Sequence, residues 1–523
     1  MKSITIAKSQ NDPLFELIKT LSKSEKRNFK LYVKRINNPE ETKFILLFDA
    51  LDKMSEYDDV KILEKIQSIK KTQLSNLKSH LYKQLLLSLR LNNINNDIDI
   101  QIREQLDYAK VLYNKGLYKQ SLKVLDKVKS KAIEYKRDIL HMEILHYEKS
   151  TELQYITGSF TERAEALCKE STEINSKISN VNDFSNLALR LYGLYLKVGY
   201  IRNEKDFSNV KDFFYENLPD YDLKKLDFNE KLYLYRAHLW YYYLIQDFGM
   251  CHEYARRWVE LFRSHDLQFV RAAAYLKGLN ALLASLYKLG DYNGFLEALS
   301  WLDEFEESSK VKLDANLSLL LFQFQSVHHL NRHFMEGTFE EGTRMVQQMD
   351  EKIAVFGNRL DEHNIKVYYY KVACLYLGAE EIDKAIQYLT KILQSKSKDI
   401  REDIQCFTRI LLLICHYEQG DEIYMEYQIK STYRFIGKMK DIHQFQKEIF
   451  HFLRKLTRIY PDQLKGEFIK LKDKLKVLAK DPYEKRPFLY FDIISWLESR
   501  IENRPVHEVI GEKFKKRMKL KSR

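Results

Sequence analysis

Apolar and aromatic residues recur every three to four positions along most of this chain, with polar residues between them. That period marks amphipathic α-helix. No proline lies between Pro39 and Pro219, or between Pro219 and Pro461. Proline interrupts helices and punctuates loops, so these long stretches read as helix after helix joined by short turns. A longer period overlies the short one. An apolar helix end reaches a glycine, a polar residue and an aromatic follow, and another amphipathic helix begins. LYNKGLYKQSLKVL at 112–125, LYKLGDYNGFLEAL at 286–299 and YLGAEEIDKAIQYL at 376–389 show it best. Weaker copies turn at Gly158, Gly199, Gln246, Gly337 and Gly420. The anchors 116, 158, 199, 246, 290, 337, 378 and 420 are 41–47 residues apart. Such a period predicts two antiparallel helices of roughly 16–18 residues and two turns per unit. The glycine would supply the left-handed backbone that ends the first helix. The aromatic that follows (Tyr118, Phe160, Phe248, Tyr292, Phe339) would pack back under the hairpin. One hairpin cannot bury its apolar faces alone, so neighbours are expected to stack.

This turn, with apolar residues before it and an alanine-bearing helix after it, resembles the tetratricopeptide repeat (TPR). The resemblance covers roughly residues 100–440 and implies a right-handed α-α superhelix, a TPR-like solenoid. The family's inward-packing positions would fall on Leu279, Leu282, Leu283 and Leu286 in one unit. In another they would fall on Tyr369, Val372, Ala373 and Tyr376, with Ala385 on the second helix. The family unit is 34 residues, shorter than the one here; longer-helix variants occur in bacterial peptide-sensing regulators. Around the array, residues 1–98 read as an N-terminal helical module with helices at 14–35, 40–54, 59–68 and 72–92. The capping-box pattern Ser22-Lys23-Ser24-Glu25 restarts a helix inside the first. The array spans 99–442. Capping helices follow at 443–510, near 445–459, 462–479 and 488–502, and then a basic tail at 511–523.

Composition sharpens this picture. The chain has 523 residues, 45% hydrophobic and 31% charged, which is too long for one globular core and rich enough for a continuous apolar seam. Five scattered cysteines lack metal or CxxC spacing and read as free thiols. The N-terminal MKSITIAKSQNDP has no apolar leader region, and no apolar run is long enough to span a bilayer, so a cytoplasmic location is expected. The net charge of +12 is uneven: +5 in 1–100, −3 in 101–420 and +10 in 421–523. Seven of the last eleven residues are basic. A run of like charge repels itself, so the tail is expected to be frayed.

Candidate chemistry is sparse. Phosphate-loop, dinucleotide, HExxH, GxSxG and kinase patterns are all missing, so no cofactor and no catalytic centre are expected. His328, His329 and His333 include an i,i+4 pair that could ligate a metal. In the repeat register they fall on packing positions, which is the preferred reading. By the TPR resemblance, Arg236, Trp240, Tyr243, Lys277 and Asn280 would line a peptide groove, with Lys277 and Asn280 forming part of a carboxylate clamp. The amphipathic stretch 72–91 mixes lysines and amides, as base- and phosphate-contacting helices do. Lys70, Lys71, Asn76, Lys78 and Lys83, with Lys515, Lys516 and Arg517 in the tail, are therefore candidate nucleic-acid contacts. The leading expectation is a non-enzymatic scaffold for a protein or peptide. Two alternatives stand beside it. One is a DNA-binding regulator with an N-terminal helix-turn-helix-like module and a sensing or dimerising array. The other is RNA or ribosome association through the basic ends.

Overall fold

The computed structural model describes residues 12–36, 41–93, 97–155, 160–308, 313–395, 402–420, 422–436, 444–456, 461–481, 483–484 and 491–521. Among them the chain is all-α, with 24 α-helices and no strand. The first eight are α1 (Pro13–Thr20), α2 (Lys23–Ile36), α3 (Glu41–Lys53), α4 (Asp59–Lys65), α5 (Lys71–Asn93), α6 (Ile98–Asn114), α7 (Tyr118–Glu134) and α8 (Asp138–Gln154). Next come α9 (Phe160–Val198), α10 (Glu204–Asn217), α11 (Phe228–Leu244), α12 (Phe248–Ser264), α13 (Ala272–Leu289), α14 (Tyr292–Glu307), α15 (Ala315–Glu336) and α16 (Phe339–Phe356). The last are α17 (Glu362–Gly378), α18 (Ile382–Gln394), α19 (Glu402–Gln419), α20 (Glu422–Ile436), α21 (Gln444–Leu456), α22 (Pro461–Leu478), α23 (Ile493–Glu502) and α24 (Val506–Lys521). No helix among the described residues is long and apolar enough to cross a membrane. The chain divides into two compact units, 1–175 and 176–523.

Aspartates start many of these helices. Asp12, Asp58, Asp97, Asp227, Asp247, Asp314, Asp361 and Asp492 each accept a hydrogen bond from a first-turn N–H. Such caps contribute about 1 kcal/mol each. The Ser22–Glu25 capping box forms and separates α1 from α2: Ser22 N–H donates to Glu25 and Glu25 N–H donates to Ser22 Oγ.

Helix ends share a second device. A left-handed residue follows α6, α11, α13, α15, α17 and α19, at Gly116, Gln246, Gly290, Gly337, Glu380 and Gly420, and Gly199 after α9 matches them. The next N–H reaches back to the carbonyl five residues earlier in five of these turns: Leu117 to Leu112, Asp247 to Tyr242, Asp291 to Leu286, Thr338 to His333 and Glu381 to Tyr376, at 2.9–3.2 Å. This is the Schellman closure, which satisfies orphan carbonyls and reverses the chain. The same bond closes Arg137 to Ala132 and Leu267 to Phe262, after left-handed Lys136 and Asp266. Seven of the eight anchors thus mark real turns. Around the anchor at 378 the left-handed residue is Glu380, two positions later. Gly378 itself is needed for close packing, since a Cβ there would sit 2.6 Å from the Phe339 ring. Gly158 lies outside the described residues, as do 156–159 generally.

One expected turn is absent. The unit between anchors 158 and 199 should hold two helices, but α9 runs unbroken for 39 residues. Its middle, INSKISNVNDFS, has neither glycine nor proline to stop it, and Ile174, Phe184, Leu187 and Leu191 are buried along it. With neither glycine nor proline to break it, the helix continues.

In the first unit, α1–α5 share a core built on Ile18, Phe29, Phe48, Leu51, Ile62, Leu81 and Leu85. Helices α6–α8 build another on Ile102, Leu106, Leu125 and Ile144. A charge cluster lies where α7, α8 and residues 160–175 of α9 meet. Glu148 is fully buried, 2.9 Å from Lys129 Nζ, which also reaches Glu170 at 3.2 Å. Glu170 meets His141 at 2.7 Å, and Arg163 meets Glu152 at 2.5 Å. Burial, with a smaller push from Asp126, raises the Glu148 carboxyl to about 7 against the pull of Lys129.

The second unit contains a large continuous core from α15 to α24 and a smaller one where α9, α10 and α11 meet. Of the positions predicted to pack inward, Leu279, Leu282, Leu283, Leu286, Val372, Ala373, Tyr376 and Ala385 are buried, while Tyr369 is half-buried. The C-terminal tail departs from expectation. Instead of fraying, residues 506–521 form α24. Val506, Val509 and Ile510 are buried, and Phe514 meets Tyr292 edge-on at 4.7 Å. Lys513 bridges to Glu498 at 2.6 Å, and Arg504 forks onto Glu512 at 2.6 and 2.9 Å. An apolar stripe at i, i+3, i+4 and i+8 gives the basic segment a face to bury, and docking outweighs self-repulsion. Gly337 makes room for it: a Cβ there would lie 2.9 Å from both Gly511 N and His507 O.

Two outcomes follow from this packing. Lys129→Met should cost about 3 kcal/mol in urea unfolding at pH 8, because it strands a buried carboxylate. The raised Glu148 pKa means the folded state keeps that proton between pH 4.5 and 7, so the cost should shrink at pH 5. Glu148→Gln in the same background should restore most of the loss; no recovery would deny the pairing. Separately, Gly337→Ala combines left-handed strain with a backbone clash and should cost about 1–3 kcal/mol. Amide exchange across 506–521 should accelerate in that variant, and an unchanged rate would refute the docking contact.

Candidate functional site

The C-terminal ends of α9, α11, α13, α15 and α17 carry most of the chemistry in the second unit. On α9 and α11 the local sequence is dense in aromatics, and these meet. The Tyr192 ring lies tilted against Trp240 at 4.7 Å, Tyr195 lies 5.4 Å from Trp240 and 5.3 Å from Tyr243, and Tyr200 lies 5.4 Å from Tyr243. Lys288, one turn before the Gly290 reversal of α13, places Nζ 3.7 Å from the Tyr243 ring centre and 4.6 Å from that of Phe248, and donates to Tyr200 Oη at 3.2 Å. Rings offer their negative faces to the ammonium. Tyr192 is 38% exposed and Leu189, one turn earlier, is 68% exposed. The strip is therefore anchored on its inner side and open on its outer side.

Beside it lies a cavity of about 240 Å³. Tyr287, Lys288, Phe334 and Lys371 form its walls, and Phe491, Asp492, Ile510 and Arg517 of the C-terminal segment close it. Lys371 Nζ is flanked by the Tyr287 and Phe334 rings, 5.4 Å from each, and donates to Asn331 Oδ1 at 2.6 Å. Burial lowers its pKa to about 8. Asn331 in turn meets His328 Nδ1 at 3.3 Å, and His328 Nε2 meets Asn280 Oδ1 at 2.9 Å. Burial holds the His328 pKa down to about 3, so the ring is neutral. The polarity of the chain is then settled. Lys371 donates to Asn331, Asn331 donates to Nδ1, and Nε2–H donates to Asn280. Cys374, also in the wall, has its thiol pushed up to about 12 by burial and is a poor nucleophile.

No protein-family model and no curated protein matches this chain.

Of the five groove positions, Trp240 and Tyr243 come together in the aromatic strip. Arg236 turns instead toward Tyr233 and Trp258, with its guanidinium 5.0 and 5.6 Å from their rings. Lys277 is exposed, whereas Asn280 faces His328 in the relay, so the two do not converge as a clamp. The three histidines diverge: His328 joins the relay, His329 meets Asp303 at 3.1 Å and His333 meets Thr338 at 2.8 Å. In the first unit, Lys70, Lys71, Asn76 and Lys83 are exposed on or just before α5. Lys78 points inward, bonded to Asp12 at 2.8 Å and to Tyr57. Lys515, Lys516 and Arg517 lie on the exposed side of α24. Lys288 and Lys371 were not anticipated. Lys371 had a visible signal, a lone charge inside the aromatic run VYYYKVACLYL.

A neutral buried histidine has a pH consequence. Its folded pKa lies below the unfolded value near 6.5, so the folded state binds fewer protons between about pH 3 and 6.5. Stability should fall as pH drops through that window, by up to about 1.4 kcal/mol per unit for each such group. His238, lowered by burial to about 4, acts in the same direction. Urea unfolding of His328→Gln between pH 5 and 7 should show a flatter dependence than the parent; an identical slope would contradict a neutral His328.

Proposed function

We propose that this chain is a non-enzymatic, TPR-like scaffold of the cytoplasm. In this reading its hairpins stack as a right-handed superhelix, and their first helices offer an aromatic strip to a protein or peptide partner. The observation that carries the reading is the Tyr192–Trp240 surface, where an exposed tyrosine lies against a half-buried tryptophan, with exposed Leu189 one turn earlier on α9. The chain buries scores of apolar side chains elsewhere, so leaving these in water calls for a partner that covers them. Tryptophan and tyrosine held rigid by neighbouring rings are also the residue types that dominate binding hot spots. Arg236 and Lys277 add positive charge on α11 and α13 and would favour an acidic segment. Nucleic-acid binding ranks second. Its support is the exposed set Lys70, Lys71, Asn76 and Lys83, weakened by the internal pairing of Lys78.

The test is recovery of a stoichiometric protein complex on the full chain, followed by affinity measurements on variants. Tyr192→Ala should weaken binding by about thirtyfold, as loss of a hot-spot aromatic does. Arg236→Glu with Lys277→Glu should weaken it further and remove its salt dependence. Unchanged affinity in both variants would overturn the proposal.

A further inference from the structure

The cavity beside Lys371 has a charge balance that calls for a ligand. Three cationic side chains line it, Lys288, Lys371 and Arg517. Among the described lining residues the one acid is Asp492, and its carboxylate is occupied in capping α23, accepting from Ser495 N–H at 3.0 Å and from Ser495 Oγ at 2.5 Å. Lys371 has three N–H groups, and among the described residues one of them meets a hydrogen-bond acceptor, Asn331. An ammonium withdrawn among rings is costly without a counter-charge. The remaining walls are apolar: Tyr287, Phe334, Met335, Phe339 and Ile510. At about 30 Å³ per water, 240 Å³ holds about eight water volumes, room for one small organic molecule.

We propose that this cavity binds a small apolar molecule bearing an oxyanion, a carboxylate or phosphate, whose charge meets Lys371, Lys288 and Arg517 and whose body lies against Tyr287 and Phe334. The depressed Lys371 pKa agrees, since an ammonium held without an anion loses its proton more readily. Arg517 places its guanidinium over the Gly290 turn, and Val506 and Ile510 of the same helix also line the cavity. A bound anion therefore ties α24 to α13 and α17. This inference does not depend on a protein partner.

Calorimetry on the full chain with phenylacetate, phenyl phosphate and neutral phenylacetamide tests it. At least one anion should bind, and phenylacetamide should bind at least tenfold more weakly. Whichever anion binds more tightly identifies the headgroup. Lys371→Met and the surface variant Arg517→Gln should each weaken binding about tenfold, as loss of one charge-assisted contact does. Amide exchange in 506–521 should slow when the anion is present. Three results would each overturn the proposal: no binding of either anion at millimolar concentration, equal binding of the amide, or parent-like affinity in correctly folded Arg517→Gln.

Discussion

The turns at Gly116, Gln246, Gly290, Gly337 and Glu380 each depend on a single residue in left-handed backbone, and the positions of the helices around them follow from it. At Gly116, Gln246, Gly290, Gly337 and Glu380 the next N–H bonds five residues back, so the helix ends at a set residue and the chain reverses at a set angle. A helix alone has no reason to stop where its partner needs it to stop. Helix α9 shows the converse: without a glycine or proline to break it, it runs on to 39 residues. A non-glycine in this conformation costs roughly 1 kcal/mol, yet Gln246 and Glu380 hold it. The Schellman bonds offset that cost at both, and at Gln246 the packing of Phe248 on Tyr243 adds to them. Gln246 adds its own tether, donating to the Ile201 carbonyl at 3.4 Å.

Because the first helices end in this way, their last turns come together, and that is where the second unit gathers its polar chemistry. Lys288, Met335 and Gly378 each lie within one turn of a reversal and Cys374 within two, and all four line one cavity. The energetics of that place are unusual. A lysine and a histidine are withdrawn from water among aromatic rings, which lowers both pKa values. The relay Lys371–Asn331–His328–Asn280 offsets part of this cost by giving each group a partner in one consistent direction. In the first unit the buried cluster around Glu148 solves a similar problem with opposite charges. The relay cannot, because its one charged member faces a cavity lined by two further cations.

The amino-acid sequence carried much of this architecture, and the missed parts have physical causes. The glycine-marked turns were legible because glycine alone tolerates left-handed backbone cheaply. Lys136 and Asp266 close their turns identically but are ordinary surface residue types, so nothing in the sequence separates them from mid-helix positions. Inward leucines such as Leu279 and Leu283 were legible from spacing. The groove was less so, because spacing places a residue on a helix face but not its side chain: Arg236 and Trp240 share a face, yet one packs on Trp258 and the other on Tyr192. Lys371 was hidden because its partners Tyr287, Asn331 and Phe334 lie far away in the sequence, on other helices.

The tail is the most instructive departure. Its charge drew attention away from Val506, Val509, Ile510 and Phe514, which form a stripe wide enough to dock. A frayed basic tail would present its charges at no fixed spacing. A docked helix fixes them, with Lys515, Lys516 and Arg517 on consecutive exposed positions. Arg517 belongs to that basic surface and also to the cavity lining. The charged end of the chain and the polar cavity of the second unit are thus not separable features. Any anion drawn to one changes the electrostatic environment of the other, because a single guanidinium serves both.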